Sequence, residues 1–124
     1  MINLTLKLNR SELSHFNEIL PVMFTQVEKI LTVEDWLHYF NFRSLSKKVF
    51  DKNFSLQWKK TKNVTLTVNI NEFNSLTGIK NMNDVFLAQE KYLYYKILLE
   101  QIIGTLDKQS VELMSSNGFN SYIQ

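Results

Sequence analysis

Few side chains in this 124-residue chain have types and spacings that could do chemistry. His15 sits between Glu12 and Glu18, an arrangement that could pass a proton, and Glu34 and Asp35 are adjacent carboxylates. A solvated helix face accounts for the first more simply. The second pair points in two directions on a helix and suits the positive end of a helix dipole. His15 and His38 fall on separate predicted helices, so they do not form a ligand pair one turn apart. There is no cysteine, which removes thiolate metal sites, disulfides and cysteine nucleophiles together. No phosphate loop, dinucleotide fingerprint, zinc-protease helix, nucleophile elbow or calcium loop is present. The sequence therefore implies a non-enzymatic protein with no cofactor, no metal and no small-molecule substrate.

Charge supplies the first positive signal. Arg43, Lys47, Lys48, Lys52, Lys59, Lys60 and Lys62 lie in residues 43–62 with Asp51 as the only acid, a local net charge of +6 in a chain of net +2. With Trp58 beside them, these residues form a candidate phosphate-binding patch. The competing reading is that exposed lysines keep a strand edge soluble. Only two of the fourteen basic residues are arginine, fewer than a dedicated nucleic-acid domain uses.

The elements that would position these groups follow from periodicity. Residues 2–8, INLTLKL, alternate as a half-buried strand, and Asn9 with Glu12 forms a capping-box pattern that opens a helix. This strand–helix unit runs over 2–31, with Pro21 expected to kink or restart the helix. A helix is predicted over 33–48. Residues 54–58, FSLQW, and 64–70, VTLTVNI, read as an antiparallel hairpin across the lysine-rich turn. A long helix is predicted over 84–108, about 37 Å at 1.5 Å per residue. Its inner face carries Val85, Ala88, Tyr92, Tyr95, Leu99, Ile102 and Leu106. Tyr94 and Ile97 lie off that seam; if exposed, they imply a second covered face. The tail 117–124 places Phe119, Tyr122 and Ile123 at the end of the chain. It is expected to dock on its own domain, with a neighbouring subunit as the alternative.

Residues 3–16, NLTLKLNRSELSHF, and 63–76, NVTLTVNINEFNSL, share five identical positions of fourteen: Asn3/Asn63, Thr5/Thr65, Leu6/Leu66, Asn9/Asn69 and Glu12/Glu72. Duplication of a strand–helix unit and convergence on a good strand-to-cap junction both explain this. The expected fold is one α+β domain over 1–124. A three-stranded, mainly antiparallel sheet is packed by a long central helix and several shorter ones.

The opening strand of the form LTLKLN, followed by an xxEL helix start, resembles small uncharacterised bacteriophage proteins, particularly of phages infecting Bacteroides-type hosts. The resemblance covers Ile2 to Leu31 and transfers no catalytic or binding residue. It implies a virion, assembly or host-directed component, located in host cytoplasm or virion. No secretion signal or membrane span is read from the sequence. The partners expected are a second copy of the chain or another protein through Tyr94, Ile97, Phe119, Tyr122 and Ile123. The alternative is nucleic acid or a host factor bound through the basic segment.

Overall fold

A computed structural model describes residues 2–115. Strand β1 (Asn3–Asn9) leads into helix α1 (Arg10–Val27). A 3-10 turn at Val33–Asp35 then opens α2 (Trp36–Ser55). Strand β2 (Asn63–Asn69) leads into α3 (Ile70–Met82), the short α4 (Asp84–Leu87), a second 3-10 turn at Glu90–Tyr92, and α5 (Leu93–Met114). The class is α+β, but the sheet has two strands, β1 and β2, paired antiparallel. Among the described residues the expected three-stranded sheet is not formed.

Three expectations are corrected. Residues 54–58 are not a strand: α2 runs through Ser55, and Leu56 to Trp58 form a turn. Over so short a run, apolar residues two apart fit a helix end as well as a strand. Here Leu56 alone is buried, while Phe54 and Trp58 are exposed. The predicted helix 84–108 is broken between α4 and α5, where Gln89 is extended at φ −64° and ψ 140°. Neither glycine nor proline marks this corner. The rings of Phe86 and Tyr92 close it at a centroid distance of 4.4 Å. Val85 and Ala88, expected inside, are exposed. Of the two options for Pro21, the restart is not taken: α1 is one helix from Arg10 to Val27 with the proline inside it. Pro21 lies on the exposed face, where water can satisfy the carbonyl of Asn17 that loses its partner.

The repeat seen at 3–16 and 63–76 coincides with the ladder register. Asn3 pairs with Asn69, Leu6 with Leu66 and Asn9 with Asn63, so exchanging the two strands maps the ladder onto itself about the Leu6–Leu66 pair. The flanking backbone bonds obey the same exchange. Arg10 N–H donates to Lys62 O at 3.2 Å, and Ile70 N–H to Ile2 O at 3.1 Å. Both capping boxes are complete. Glu12 and Glu72 N–H donate to Asn9 and Asn69 Oδ1 at 2.8 Å, and each carboxylate accepts the cap's own N–H.

The correspondence extends past the sequence match. The second 3-10 turn and α5 begin 57 residues after the first 3-10 turn and α2. At that offset the buried Phe42, Leu45 and Val49 of α2 correspond to the buried Leu99, Ile102 and Leu106 of α5. Each half is thus a strand, a helix, a 3-10 turn and a helix, with the short α4 added before the turn in the second half. The last helix of each half covers the other half's strand: α2 lies along β2 and α5 along β1, at opposite edges of the ribbon. Leu4, Leu6, Leu8, Val64, Leu66 and Val68 point from the ribbon into a core with Phe16, Leu20, Met23, Leu76 and Ile79.

The two covering helices also supply partners near the middle of each ribbon edge, where open backbone groups would otherwise be offered to another strand. On β1, the Gln109 amide behaves like a neighbouring strand residue. Its Oε1 accepts Thr5 N–H at 2.9 Å, and its Nε2 donates to Thr5 O at 2.6 Å. On β2, Lys48 Nζ donates to Thr67 O at 3.0 Å.

The caps give a first test. Substituting a cap asparagine by alanine costs about 0.5–2 kcal/mol. Asn69→Ala should fall at the upper end and Asn9→Ala at the lower end, because the Asn69 box is partly buried and the Asn9 box is exposed. Urea unfolding of the two variants measures the difference.

Candidate functional site

The residues suited to acid–base chemistry are occupied locally. His15 Nδ1 lies 2.7 Å from Ser11 O on its own helix, and its ring packs 4.7 Å from that of Tyr94. Tyr95 donates its hydroxyl to Glu18 Oε2 at 2.8 Å, and this bond holds the phenol above its ordinary pKa. His38 Nδ1 lies 3.4 Å from Ser75 Oγ, far along the chain from His15. Asp35 accepts both the N–H and the hydroxyl of Thr32, at 2.8 and 2.9 Å, and the backbone bond is the main cause of its lowered pKa. This fixes the entry into α2. Among the described residues no three histidine or acidic side chains gather to hold a metal. No helix of the described residues is long and apolar enough to cross a membrane.

The basic segment is divided by the fold. Lys48 turns inward and ties Glu72 to the β2 edge, with Nζ 2.6 Å from Glu72 Oε1. Lys47 pairs with Asp51 at 3.0 Å, both of them exposed. Arg43 is exposed on α2, Lys52 is half-buried, and Lys59, Lys60 and Lys62 are exposed on the connection into β2. Beside those three, Trp58 is 85% exposed. Arg10 holds the start of this connection by donating to the carbonyls of Leu56 and Lys59. The predicted patch is therefore two sites: Arg43 and Lys47 on the outer face of α2, and Trp58 with Lys59, Lys60 and Lys62 beyond its end.

The apolar candidates divide in the same way. Tyr94 and Ile97 are both exposed on the first turns of α5. Phe119, Tyr122 and Ile123 lie outside the described residues. Sequence reasoning missed the larger part of this surface, the outer face of α2. Trp36, Phe40, Arg43, Lys47, Phe50 and Phe54 recur every three or four residues opposite the buried Phe42, Leu45 and Val49, and all six are exposed. Of these, Arg43 and Lys47 were expected in the basic patch and Phe54 on a strand; Trp36 and Phe40, aromatic residues at helical spacing, fit a core face equally well, and Phe50 carried no signal of its own. The signal available in the sequence was apolar residues around the whole girth of this helix.

The outer face of α5 has the same plan. Leu93, Ile97, Glu100, Gly104, Asp107 and Val111 form its exposed stripe, each at the position corresponding to one on α2. Both stripes are apolar at the ends and charged or small in the middle, with opposite signs: Arg43 corresponds to Glu100. At the margin, Asp51 corresponds to Lys108. Gly104 stands in the middle of α5, where glycine costs about 1 kcal/mol relative to alanine. A Cβ at this position would meet nothing within 4 Å, so the protein's own packing does not require the glycine.

A cleft of ≈ 340 Å³ adjoins the α2 face where α1 ends, lined by Phe24, Glu28, Lys29, Leu31, Trp36 and Tyr39. This is the low end of ligand-pocket size, and its walls are mostly apolar. Comparison with known proteins finds no matching family model, no similar curated protein and no similar solved structure.

Proposed function

We propose that this is a non-enzymatic interaction protein that self-associates, acting as a structural or accessory component of a phage particle or of its assembly. The observation that carries the reading is the pair of exposed apolar faces at corresponding positions of α2 and α5, with Trp36, Leu37 and Phe40 on one and Leu93, Tyr94 and Ile97 on the other. Large apolar side chains clustered on a solvent face mark interaction sites, since leaving them in water forgoes about 25 cal/mol per Å². Two such faces, one at each edge of the ribbon, give one molecule two neighbours. The phage attribution rests on the N-terminal resemblance alone. Polar substitution of both faces, Phe40→Ser with Ile97→Ser, should leave helix content unchanged and convert the oligomer to monomer on a sizing column. An oligomer that survives both substitutions would defeat the reading.

A second reading is carried by Trp58 and its neighbours. An exposed indole beside three lysines can stack on an unpaired base while the lysines meet phosphates. Lys59→Glu, Lys60→Glu and Lys62→Glu together separate the two. Self-association should be unaffected, whereas any shift of single-stranded nucleic acid in a low-salt gel should vanish. Absence of a shift for the wild-type chain would remove this second reading.

A further inference from the structure

We propose that the partner of the α2 face is the α5 face of a second copy, so that copies join head to tail. This rests on the self-association reading above and names its geometry. Three observations converge on it.

The first is sign. The α2 stripe carries Arg43 and Lys47 between its apolar ends, with Asp51 at the margin in an exposed pair with Lys47 at 3.0 Å. The α5 stripe carries Glu100 and Asp107, with Lys108 at the margin. Placing α2 on α2 sets Arg43 and Lys47 against their own copies, and placing α5 on α5 sets Glu100 and Asp107 together. Both are like-charge arrangements that oppose docking. Of the three pairings only α2 on α5 sets opposite charges, Arg43 and Lys47 against Glu100 and Asp107, between the apolar residues of the two stripes.

The second is Gly104. It occupies the place on α5 that Lys47 occupies on α2, it is exposed, and its own fold leaves open space there. A residue without a side chain at the centre of an otherwise apolar and acidic face lets the backbone of an incoming helix, or a long basic side chain, approach closely. The third is placement. The two faces belong to helices at opposite edges of the ribbon. A contact between unlike faces so placed is heterologous, leaving one face free at each end and continuing as a ring or a filament.

The test uses charge reversal and cross-linking together. Arg43→Glu with Lys47→Glu makes both faces acidic; Glu100→Lys with Asp107→Lys makes both basic. Each double variant alone should need at least a tenfold higher concentration to associate, by light scattering, with an unchanged circular dichroism spectrum. An equimolar mixture should recover association, because each variant's α2 then meets the other's oppositely charged α5. The chain has no cysteine, so single cysteines report the contact directly. Lys47→Cys and Gly104→Cys variants mixed with a short bismaleimide should give covalent dimers. The chain carrying both cysteines should give a ladder of higher species, and neither single variant should link to itself. Self-linking of Lys47→Cys, without linking to Gly104→Cys, would overturn the head-to-tail geometry while leaving self-association standing. Monomers at every concentration, for the wild type as well, would sink both.

Discussion

Replacing Glu72 with alanine should destabilise the protein by about 2–4 kcal/mol, whereas Glu12→Ala should cost about 1 kcal/mol. The two glutamates hold the same place in the repeat and make the same capping bond, so the difference isolates their surroundings. Glu72 is 0% exposed. It accepts Ser44 Oγ at 2.7 Å, Lys48 Nζ at 2.6 Å and Asn69 N–H at 3.0 Å. Removing it leaves Lys48 Nζ with Thr67 O alone, leaves Ser44 Oγ and Asn69 N–H without their acceptor, and deletes this polar link between α2 and α3. The Lys48 side chain is 40% exposed, so water recovers part of the loss, which keeps the cost below that of a fully buried pair. Glu12 is only half-buried, and the position corresponding to Lys48 across its groove is the uncharged Thr105. Chemical denaturation measures both variants. Equal costs would mean that the cap alone accounts for Glu72.

Leu66→Ala and Leu6→Ala should each cost about 3 kcal/mol, lowering the melting temperature by roughly 10 °C. These two side chains face each other at the centre of the ladder, at 5% and 2% exposure. Truncating either opens a cavity under the one point where the two halves of the molecule meet symmetrically. A domain of this size has about 5–15 kcal/mol of stability in all, so the double variant should be near the unfolding threshold at 37 °C. Because the environments correspond, the two single variants should agree within about 0.5 kcal/mol by calorimetry. A large disagreement would show that the halves pack differently despite the matched register.

Much of the fold was legible in the sequence, and the failures have physical causes. Strands β1 and β2 were readable because strict alternation over seven residues leaves one apolar face, and both ended in an Asn-x-x-Glu cap that fixes the start of the next helix. Their pairing with each other was only one of two options, since residues 2–8 were expected beside either 54–58 or 64–70. Residues 54–58 lay nearer in the chain and alternated weakly, and short-range pairing is the usual expectation. The repeat itself carried the answer, since two equivalent strands can pair antiparallel about a common centre at Leu6 and Leu66. The break at Ala88–Gln89 was hidden because it lacks glycine and proline. It is set by ring packing between Phe86 and Tyr92, a contact made only once the chain has turned.

The interaction faces were half legible. Tyr94 and Ile97 fell off the inner seam of α5 by helical geometry, which needs no tertiary information. Trp36, Phe40, Phe50 and Phe54 did not, because which side of an aromatic-rich helix is buried depends on where α1 and α3 lie. The basic run 43–62 was visible as composition, yet its division was not. Lys48 leaves the surface because Glu72, 24 residues further on, closes its cap under α2.

The most direct test of the account is the mass of the intact chain in solution, by light scattering behind a sizing column at rising concentrations and at low and high salt. The account predicts species heavier than 14.7 kDa whose mass grows with concentration. The apolar ends of the faces should hold part of this assembly together when salt screens Arg43 and Glu100. A single species of 14.7 kDa at every concentration and at both salts would contradict it.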